Sequence, residues 1–167
     1  MLLRAEEQRD WPAVHAVHVS AFETPAEADL VGVLREQAMP VVSLVAEEGE
    51  TLVGHIMFSP VSLSPHPDLK IIGLAPLAVA WKHQRKGVGS ALICAGLERC
   101  KQLDFGAVVV LGHPEYYPRF GFVPATHFGI ACEYEVPAEA FMVVELQPGY
   151  LHSKSGTVHY HAAFGNV

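Results

Sequence analysis

The stretch from Gly73 to Leu92 constrains the fold of this chain more than any other part of its sequence. Its first part, Gly73–Trp81, is an apolar run that predicts a buried strand. A basic turn with two spaced glycines, Lys82–Gly89, comes next, and an amphipathic helix continues from Ser90. The N–H groups at the start of a helix point outward at the positive end of the helix dipole, where they can bind phosphate. The stretch therefore predicts a site for a molecule that carries phosphate groups.

The overall composition narrows the class of protein and of partner. Half of the 167 residues are hydrophobic, which predicts a single globular domain over residues 1–167. The net charge of −7 argues against a nucleic-acid partner, because such proteins usually present a basic face. No apolar run reaches the roughly 18 residues of a membrane span, so no membrane partner is expected. Three cysteines without a CxxC spacing, and an N-terminus unlike a secretory signal, predict reduced thiols in a cytoplasmic protein.

The residues before this stretch predict antiparallel strands and two helices. Glu48-Gly49-Glu50 separates two segments rich in β-forming residues, as the turn of a hairpin does. Prolines and polar residues dominate Ser64–Asp68, which is expected to form a loop. The predicted elements are a strand at Leu2–Ala5, helices at Trp11–Phe22 and Pro25–Gln37, and strands at Val41–Glu47 and Thr51–Pro60.

The residues after this stretch complete a mixed α/β fold. A helix at Gly87–Leu103 leads into Ala107–Leu111, an unbroken apolar run that predicts a central strand. A strand, a crossover helix and a second buried strand favour a parallel pair. Further strands are predicted at Phe141–Leu146 and Thr157–His161. We therefore expect an antiparallel front half and one parallel crossing in the middle of the sheet.

Three known phosphate-binding patterns can be compared with the basic turn. A Walker loop requires G-x-x-x-x-G-K-[S/T], which this sequence lacks. A Rossmann fingerprint requires a third glycine where Leu92 stands. The turn does meet the pattern Gln/Arg-x-x-Gly-x-Gly/Ala, in its residues Gln84-Arg85-Lys86-Gly87-Val88-Gly89. A second motif, Tyr116-Tyr117-Pro-Arg-Phe-Gly121-Phe122, comes after the next buried strand.

These two motifs resemble those of the GNAT superfamily of acyl-CoA-dependent N-acyltransferases, in particular a bacterial branch of uncharacterised acetyltransferases. The resemblance extends from Leu2 to about Phe164. It implies antiparallel N-terminal strands, a central parallel strand pair that splays at a β-bulge, and flanking helices. It also implies acetyl-CoA as co-substrate and no metal. The residues that would bind acetyl-CoA are Leu77, Ala78, Val79, Gln84, Arg85, Lys86, Gly87, Val88, Gly89, Ser90 and Tyr117.

Pro76 predicts a break in the strand that leads to the glycine turn. Proline has no N–H to donate to a neighbouring strand, so it marks a bulge or an edge. A bulge would leave a neighbouring N–H free to face a cleft, and we expect it to be that of Leu77. By resemblance the family binds the thioester carbonyl there, and the Leu77 N–H would stabilise the oxyanion of the transition state. The Val79 N–H would then meet the pantetheine arm of the co-substrate.

Aminolysis of a thioester also needs a proton donor for the thiolate and a proton acceptor for the ammonium group. By resemblance Tyr117 is the acid, with Tyr116 as its substitute. Pro118 disfavours an α conformation at Tyr117, so the motif leaves the direction of its side chain open. The base is open as well: Glu27, His55 or an ordered water could take the proton. Glu27 also has a structural role available, in a capping box that begins at Thr24.

The resemblance implies transfer of an acetyl group from acetyl-CoA to a primary amine by direct attack in a ternary complex. The alternative is an acyl-CoA-binding or regulatory module that keeps the fold without catalysis. The acceptor is open between a small amine, a peptide N-terminus and a protein lysine. An acidic segment that contains Glu133, Glu135 and Glu139 hints at a cationic amine, although such segments are usually solvated faces. The sequence allows a monomer or a homodimer.

Overall fold

A computed structural model describes residues 1–166, so Val167, the last residue of the predicted domain, lies outside the described part. The described residues form three α-helices and nine strands. The helices are α1 (Trp11–Ala21), α2 (Ala26–Gln37) and α3 (Val88–Gln102). The strands are β1 (Leu2–Ala5), β2 (Val42–Glu48), β3 (Thr51–Ser64), β4 (His66–Val79), β5 (Ala107–Leu111), β6 (Val123–Pro124), β7 (Ile130–Cys132), β8 (Phe141–Glu145) and β9 (Gly156–His159).

All these strands join one mixed sheet. Its main order is β1-β2-β3-β4-β5-β8-β6, and β9 pairs with both β3 and β7. The pairs β1–β2, β2–β3 and β3–β4 are antiparallel, whereas β4 and β5 run parallel and are joined through α3. The prediction of a mixed α/β fold with antiparallel front strands and a central parallel pair is therefore confirmed.

The strand β4 bulges at the proline that the sequence singled out. Ile56 of β3 lies opposite Leu77, and Phe58 lies opposite Leu74. Met57 alone therefore faces two residues of β4, Ala75 and Pro76, which is the geometry of a β-bulge. The pairing of β4 with β5 extends from Ile71 to Leu74 and stops there. The parallel pair thus opens where the bulge begins, as predicted.

Helices cover both faces of the sheet. The buried residues of α3, among them Leu92 and Ile93, pack against Ile56 and Phe58 of β3. On the other face, α1 and α2 contribute Val14, Leu30, Val31 and Leu34, which pack against Val45 and Met57. Alternate residues of β3 therefore point into two different cores, as the two-residue repeat of a strand requires.

One glycine allows α3 to lie close to the sheet. The ring of Phe58 occupies the space that a Cβ atom at Gly96 would need. Any larger residue at position 96 would force the helix and the ring apart. This close contact helps to set the distance between α3 and the sheet, and therefore the position of the N-terminus of α3.

The predicted loop at Ser64–Asp68 is wrong. The strands β3 and β4 continue to Ser64 and from His66, so that Pro65 alone separates them. The outer part of β3 pairs with β9, with Ser62 opposite His159 and Ser64 opposite Thr157. These hydrogen bonds come from a distant part of the chain and override the local turn signals. The helices described in residues 1–166 include none that is long and apolar enough to cross a membrane.

Candidate active site

A cavity of about 710 Å³ opens where β4 separates from β5. Its wall consists of the end of β4, the basic turn, the first turn of α3, the end of α1 and the residues after β5. We call it the main cavity. The residues that line it are Ala21, Phe22, Leu77, Ala78, Val79, His83, Gln84, Arg85, Gly87, Gly89, Ser90, His113, Tyr116, Tyr117 and Arg119.

The start of α3 presents free backbone donors to this cavity. Gly87 caps the helix with a φ of 86°, a left-handed conformation that favours glycine. The first hydrogen bond of the helix runs from the N–H of Ala91 to the carbonyl of Gly87. The N–H groups of Val88, Gly89 and Ser90 come before it and therefore have no partner within the helix. The Gln84 side chain donates from Nε2 to the Val79 carbonyl at 3.0 Å and ties the turn to the end of β4. The start of α3 therefore carries three N–H groups without an intrahelical partner, and the phosphate site stays a prediction.

Gly89 lies between the strand and the tyrosine motif. A Cβ atom at this position would come 3.6 Å from the hydroxyl oxygen of Tyr116, 3.7 Å from Val79 and 3.9 Å from Leu77. These are ordinary contact distances, so a methyl group fits against the protein itself. A larger side chain would extend into the main cavity. The glycine thus leaves the space between β4 and Tyr116 open for a ligand.

The two tyrosines of the second motif both line the cavity but differ in environment. The Tyr116 hydroxyl is hydrogen-bonded to Ser90 Oγ at 2.9 Å, and the Arg119 guanidinium lies 4.6 Å from its ring centre. Tyr117 is buried, and Gly112 packs directly against its ring. Burial raises the pKa of Tyr117 to about 12, so its hydroxyl keeps its proton at neutral pH. Tyr117 begins a short 3-10 helix, where Pro118 is tolerated.

A pair of buried histidines lies beneath the cavity. His55 is directly opposite Ala78 in the β3–β4 register, and neither His18 nor His55 is accessible to solvent. His18 Nε2 and His55 Nδ1 are 2.8 Å apart, and the other ring nitrogen of His55 lies 2.8 Å from Ser43 Oγ. Burial, with the nearby charge of Arg35, lowers the pKa of His18 to about 4 and that of His55 well below its usual value. Both rings are therefore neutral near pH 7.

Glu27 lies outside the main cavity. It belongs to the first turn of α2, and its Oε2 atom is buried without a hydrogen-bond partner among the described residues. The predicted capping box is wrong, because Thr24 Oγ1 accepts the N–H of Ala26 at 3.3 Å and Glu27 makes no cap contact. A catalytic role for Glu27 stays a prediction.

The sequence model of the acetyltransferase (GNAT) family matches residues 3–122, which is more than half of the chain. The chain therefore belongs to the GNAT family of acetyltransferases. The resemblance noted from the two motifs is confirmed. Within residues 1–166 no group of three or more His, Cys, Asp or Glu side chains is arranged to hold a metal ion.

Two curated GNAT proteins of Escherichia coli strain K12 are similar over most of their length. One is the uncharacterised N-acetyltransferase YhbS, 38% identical over 165 residues, which are 98% of each chain. The other is the uncharacterised N-acetyltransferase YjhQ, 39% identical over 137 residues, which are 80% of this chain and 76% of YjhQ.

Two solved structures of GNAT proteins have the same fold. Escherichia coli YhbS in complex with CoA superposes with a TM-score of 0.92 at 37% identity, over 98% of this chain and 91% of that one. An acetyltransferase from Brucella melitensis in complex with acetyl-CoA superposes with a TM-score of 0.79 at 31% identity, over 98% and 97% of the two chains. Enzymatic acetyl transfer, rather than the non-catalytic alternative, is therefore the activity that the comparisons favour.

Nine of the eleven residues predicted to bind acetyl-CoA line the main cavity, and the other two, Lys86 and Val88, do not. Lys86 is exposed outside the lining, and the Val88 side chain packs in the core against Gly54. A Cβ at Gly54 would lie 2.9 Å from Val88 Cγ1, which shows how closely the two approach. Only the backbone N–H of Val88 is therefore in a position to contact a ligand.

Five residues of the lining were not predicted: Ala21, Phe22, His83, His113 and Arg119. Ala21 and Phe22 reach the cavity through the packing of α1, for which the sequence carries no local signal. His113 could have been found, because it comes two residues after the end of β5, and polar residues at the carboxyl end of a parallel strand often form sites.

Proposed function

We propose that this GNAT protein transfers an acetyl group from acetyl-CoA to a primary amine in a ternary complex. One observation carries the proposal: a single cavity joins the free N–H groups of α3 to the bulged end of β4. The N–H groups of α3 suit a phosphate and the bulged end of β4 suits a thioester, and Leu77 and Gly87 are ten residues apart in the chain. The presence of CoA or acetyl-CoA in the YhbS and Brucella melitensis structures supports this co-substrate.

In this proposal the pyrophosphate of acetyl-CoA lies on the N–H groups of residues 87–90. Glycine at positions 87 and 89 lets the backbone approach the phosphate oxygens. Arg85 lines the cavity and adds positive charge, while exposed Lys86 acts at longer range. The pantetheine arm then runs along Leu77, Ala78 and Val79 toward the bulge. In this placement Val88 contributes only its backbone N–H, because its side chain is buried in the core.

The chemical step follows from this placement. The neutral amine attacks the thioester carbonyl, and the oxyanion that develops accepts the N–H of Leu77. Collapse of the tetrahedral species breaks the C–S bond, and the thiolate leaves with a proton from a tyrosine hydroxyl. We assign that proton to Tyr117, with Tyr116 as the alternative because its hydroxyl also lies in the cavity beside Ser90.

A primary amine is mostly an ammonium ion near neutral pH, so an acceptor must take a proton from it before the neutral amine can attack. Neither Glu27 nor His55 lines the main cavity, so each would act through water. His113 does line it, and its carbonyl accepts the N–H of Tyr116 at 3.1 Å, which holds the two residues together. Imidazole suits general-base catalysis near neutral pH. We therefore add His113 to Glu27, His55 and water as a candidate base.

Two measurements test the proposal. Calorimetric titration with acetyl-CoA should show binding to one site per chain, and thiol release with a set of primary amines should show turnover. Binding without turnover on any amine would favour the non-catalytic module instead. No binding of acetyl-CoA would refute both.

A further inference from the structure

A second cavity lies on the other side of the bulge. It has a volume of about 380 Å³, and we call it the aromatic cavity. We propose that it binds the acceptor, and that the acceptor is a primary amine on an uncharged aromatic or aliphatic body. This inference rests on the proposed acetyl transfer and names the class of its acceptor. The residues that line the aromatic cavity are Leu74, Ala75, Leu111, Tyr134, Tyr160, Phe164 and Gly165.

The position of the aromatic cavity suits an amine that attacks from the opposite side. Ala75 belongs to the bulge and lines the aromatic cavity, while Leu77 lines the main cavity. Two residues of extended chain span roughly 7 Å. A molecule seated in the aromatic cavity therefore needs to extend only a short arm past the bulge to reach the thioester. Leu111 ends β5 beside this opening, and 43% of its surface is exposed to solvent.

Aromatic rings build the body of this cavity and are held in place. The rings of Tyr134 and Tyr160 are stacked, with centres 6.2 Å apart, and Phe164 lies 5.2 Å from Tyr160. The Tyr160 ring packs on Gly73, where a Cβ atom would be only 3.0 Å from its Cε1 atom. Because Gly73 leaves that space, one edge of the Tyr160 ring packs against β4. Such a surface gains free energy by covering an apolar body.

The charges around the aromatic cavity disfavour a second positive group. No carboxylate belongs to its lining in the described part of the chain. Burial raises the pKa of Tyr160, so its hydroxyl is neutral as well. Glu133 is not part of the lining, and its carboxylate is already engaged: it accepts the Tyr160 N–H at 2.8 Å and lies 3.3 Å from His159 Nδ1. A second ammonium would therefore lose its hydration without gaining a counter-ion.

On this proposal the acidic segment does not select the acceptor. Glu135 and Glu139 are exposed and are absent from the lining of both cavities, as is Glu133. The segment is a solvated face, and the chemistry of the acceptor is set by Leu111 and the three aromatic residues instead.

A matched pair of amines tests the inference. Hexylamine and 1,6-diaminohexane have the same length and the same attacking group, and only the second carries another ammonium. We expect kcat/KM for hexylamine, and for 2-phenylethylamine, to be at least tenfold higher than for 1,6-diaminohexane in a thiol-release assay. Equal rates for the pair, or a preference for the diamine or for a lysine peptide, would overturn the acceptor class while leaving acetyl transfer established.

A charge placed in the cavity wall gives a second readout. Leu111→Glu should reverse the preference for hexylamine over 1,6-diaminohexane, because the new carboxylate can pair with the second ammonium group of the diamine. We expect kcat/KM to fall at least tenfold for hexylamine and to rise for 1,6-diaminohexane. Met39→Glu is the matched control, since Met39 is 85% exposed and belongs to neither cavity. A change in the Met39 variant equal to that in the Leu111 variant would refute the proposed location. Unchanged acetyl-CoA affinity of Leu111→Glu, measured by calorimetry, shows that the variant is folded.

Discussion

The buried histidine pair makes the stability of this protein depend on pH in a direction that the structure determines. Burial lowers the pKa of His18 from 6.5 to about 4 in the folded state. The unfolded chain therefore binds a proton at higher pH than the folded chain does. The stability that neutral His18 contributes is fully present above pH 6.5 and is lost as the pH falls toward 4.

The size of this loss follows from the two pKa values. With values of 6.5 and about 4, linkage predicts that the free energy of unfolding falls by about 2 kcal/mol between pH 7 and pH 5. His55 acts in the same direction, because its pKa is also lowered by burial. A fall of this size is a large part of the stability of an ordinary domain.

The assay is urea denaturation at pH 7 and pH 5, with the wild type compared with His18→Gln. Glutamine can keep a hydrogen bond to His55 but has no proton to gain, so the fall between the two pH values should be smaller by about 2 kcal/mol in this variant. His152→Gln is the control, because His152 is exposed. The reasoning is refuted if the wild type and His18→Gln lose the same free energy of unfolding between pH 7 and pH 5.

Three further substitutions test the site and the packing beneath it. Tyr117→Phe should lower kcat, measured by thiol release, by about 100-fold. The affinity for acetyl-CoA, measured by calorimetry, should stay unchanged. An unaltered kcat would exclude Tyr117 as the acid. Gly89→Val should raise KM for acetyl-CoA at least tenfold by filling the space beside Tyr116. Gly32→Val is the control, because no atom lies within 4 Å of its added Cβ, and its KM should not rise. A KM of the Gly89 variant equal to that of the wild type would contradict the phosphate site. Gly96→Ala should lower the free energy of unfolding, measured by urea denaturation, by about 1–3 kcal/mol, because the added methyl group meets the Phe58 ring. An unchanged urea midpoint would show that α3 can shift without loss of stability.

The centre of the fold could be predicted because its signals are local. The strand, the glycine turn and the helix of residues 73–92 each follow from residues that are neighbours in the sequence. Pro76 indicated the bulge for the same reason, since a missing N–H acts on its own strand. The resemblance to GNAT motifs was needed to predict that the glycine turn and Tyr117 belong to one site. The hydrophobic pattern and the turn signals alone could not predict it.

The remaining features depend on contacts between distant residues. The outer hairpin of β3 and β4 needed its pairing with β9 to override the turn signals at Pro65. His18 and His55 are 37 residues apart, and nothing in either helix or strand pattern indicates that their rings meet. Tyr134 and Tyr160 likewise form one wall only after β7 and β9 pair. The location of the protein in the cell and its oligomeric state stay predictions.

The central claim is direct acetyl transfer between two molecules that occupy the protein together. Initial rates of thiol release over a matrix of acetyl-CoA and hexylamine concentrations test it most directly, with the product identified by its mass. Lines that intersect in a double-reciprocal plot, with N-acetylhexylamine as the product, are the predicted result. Parallel lines, together with an acetylated protein in the absence of amine, would contradict the account.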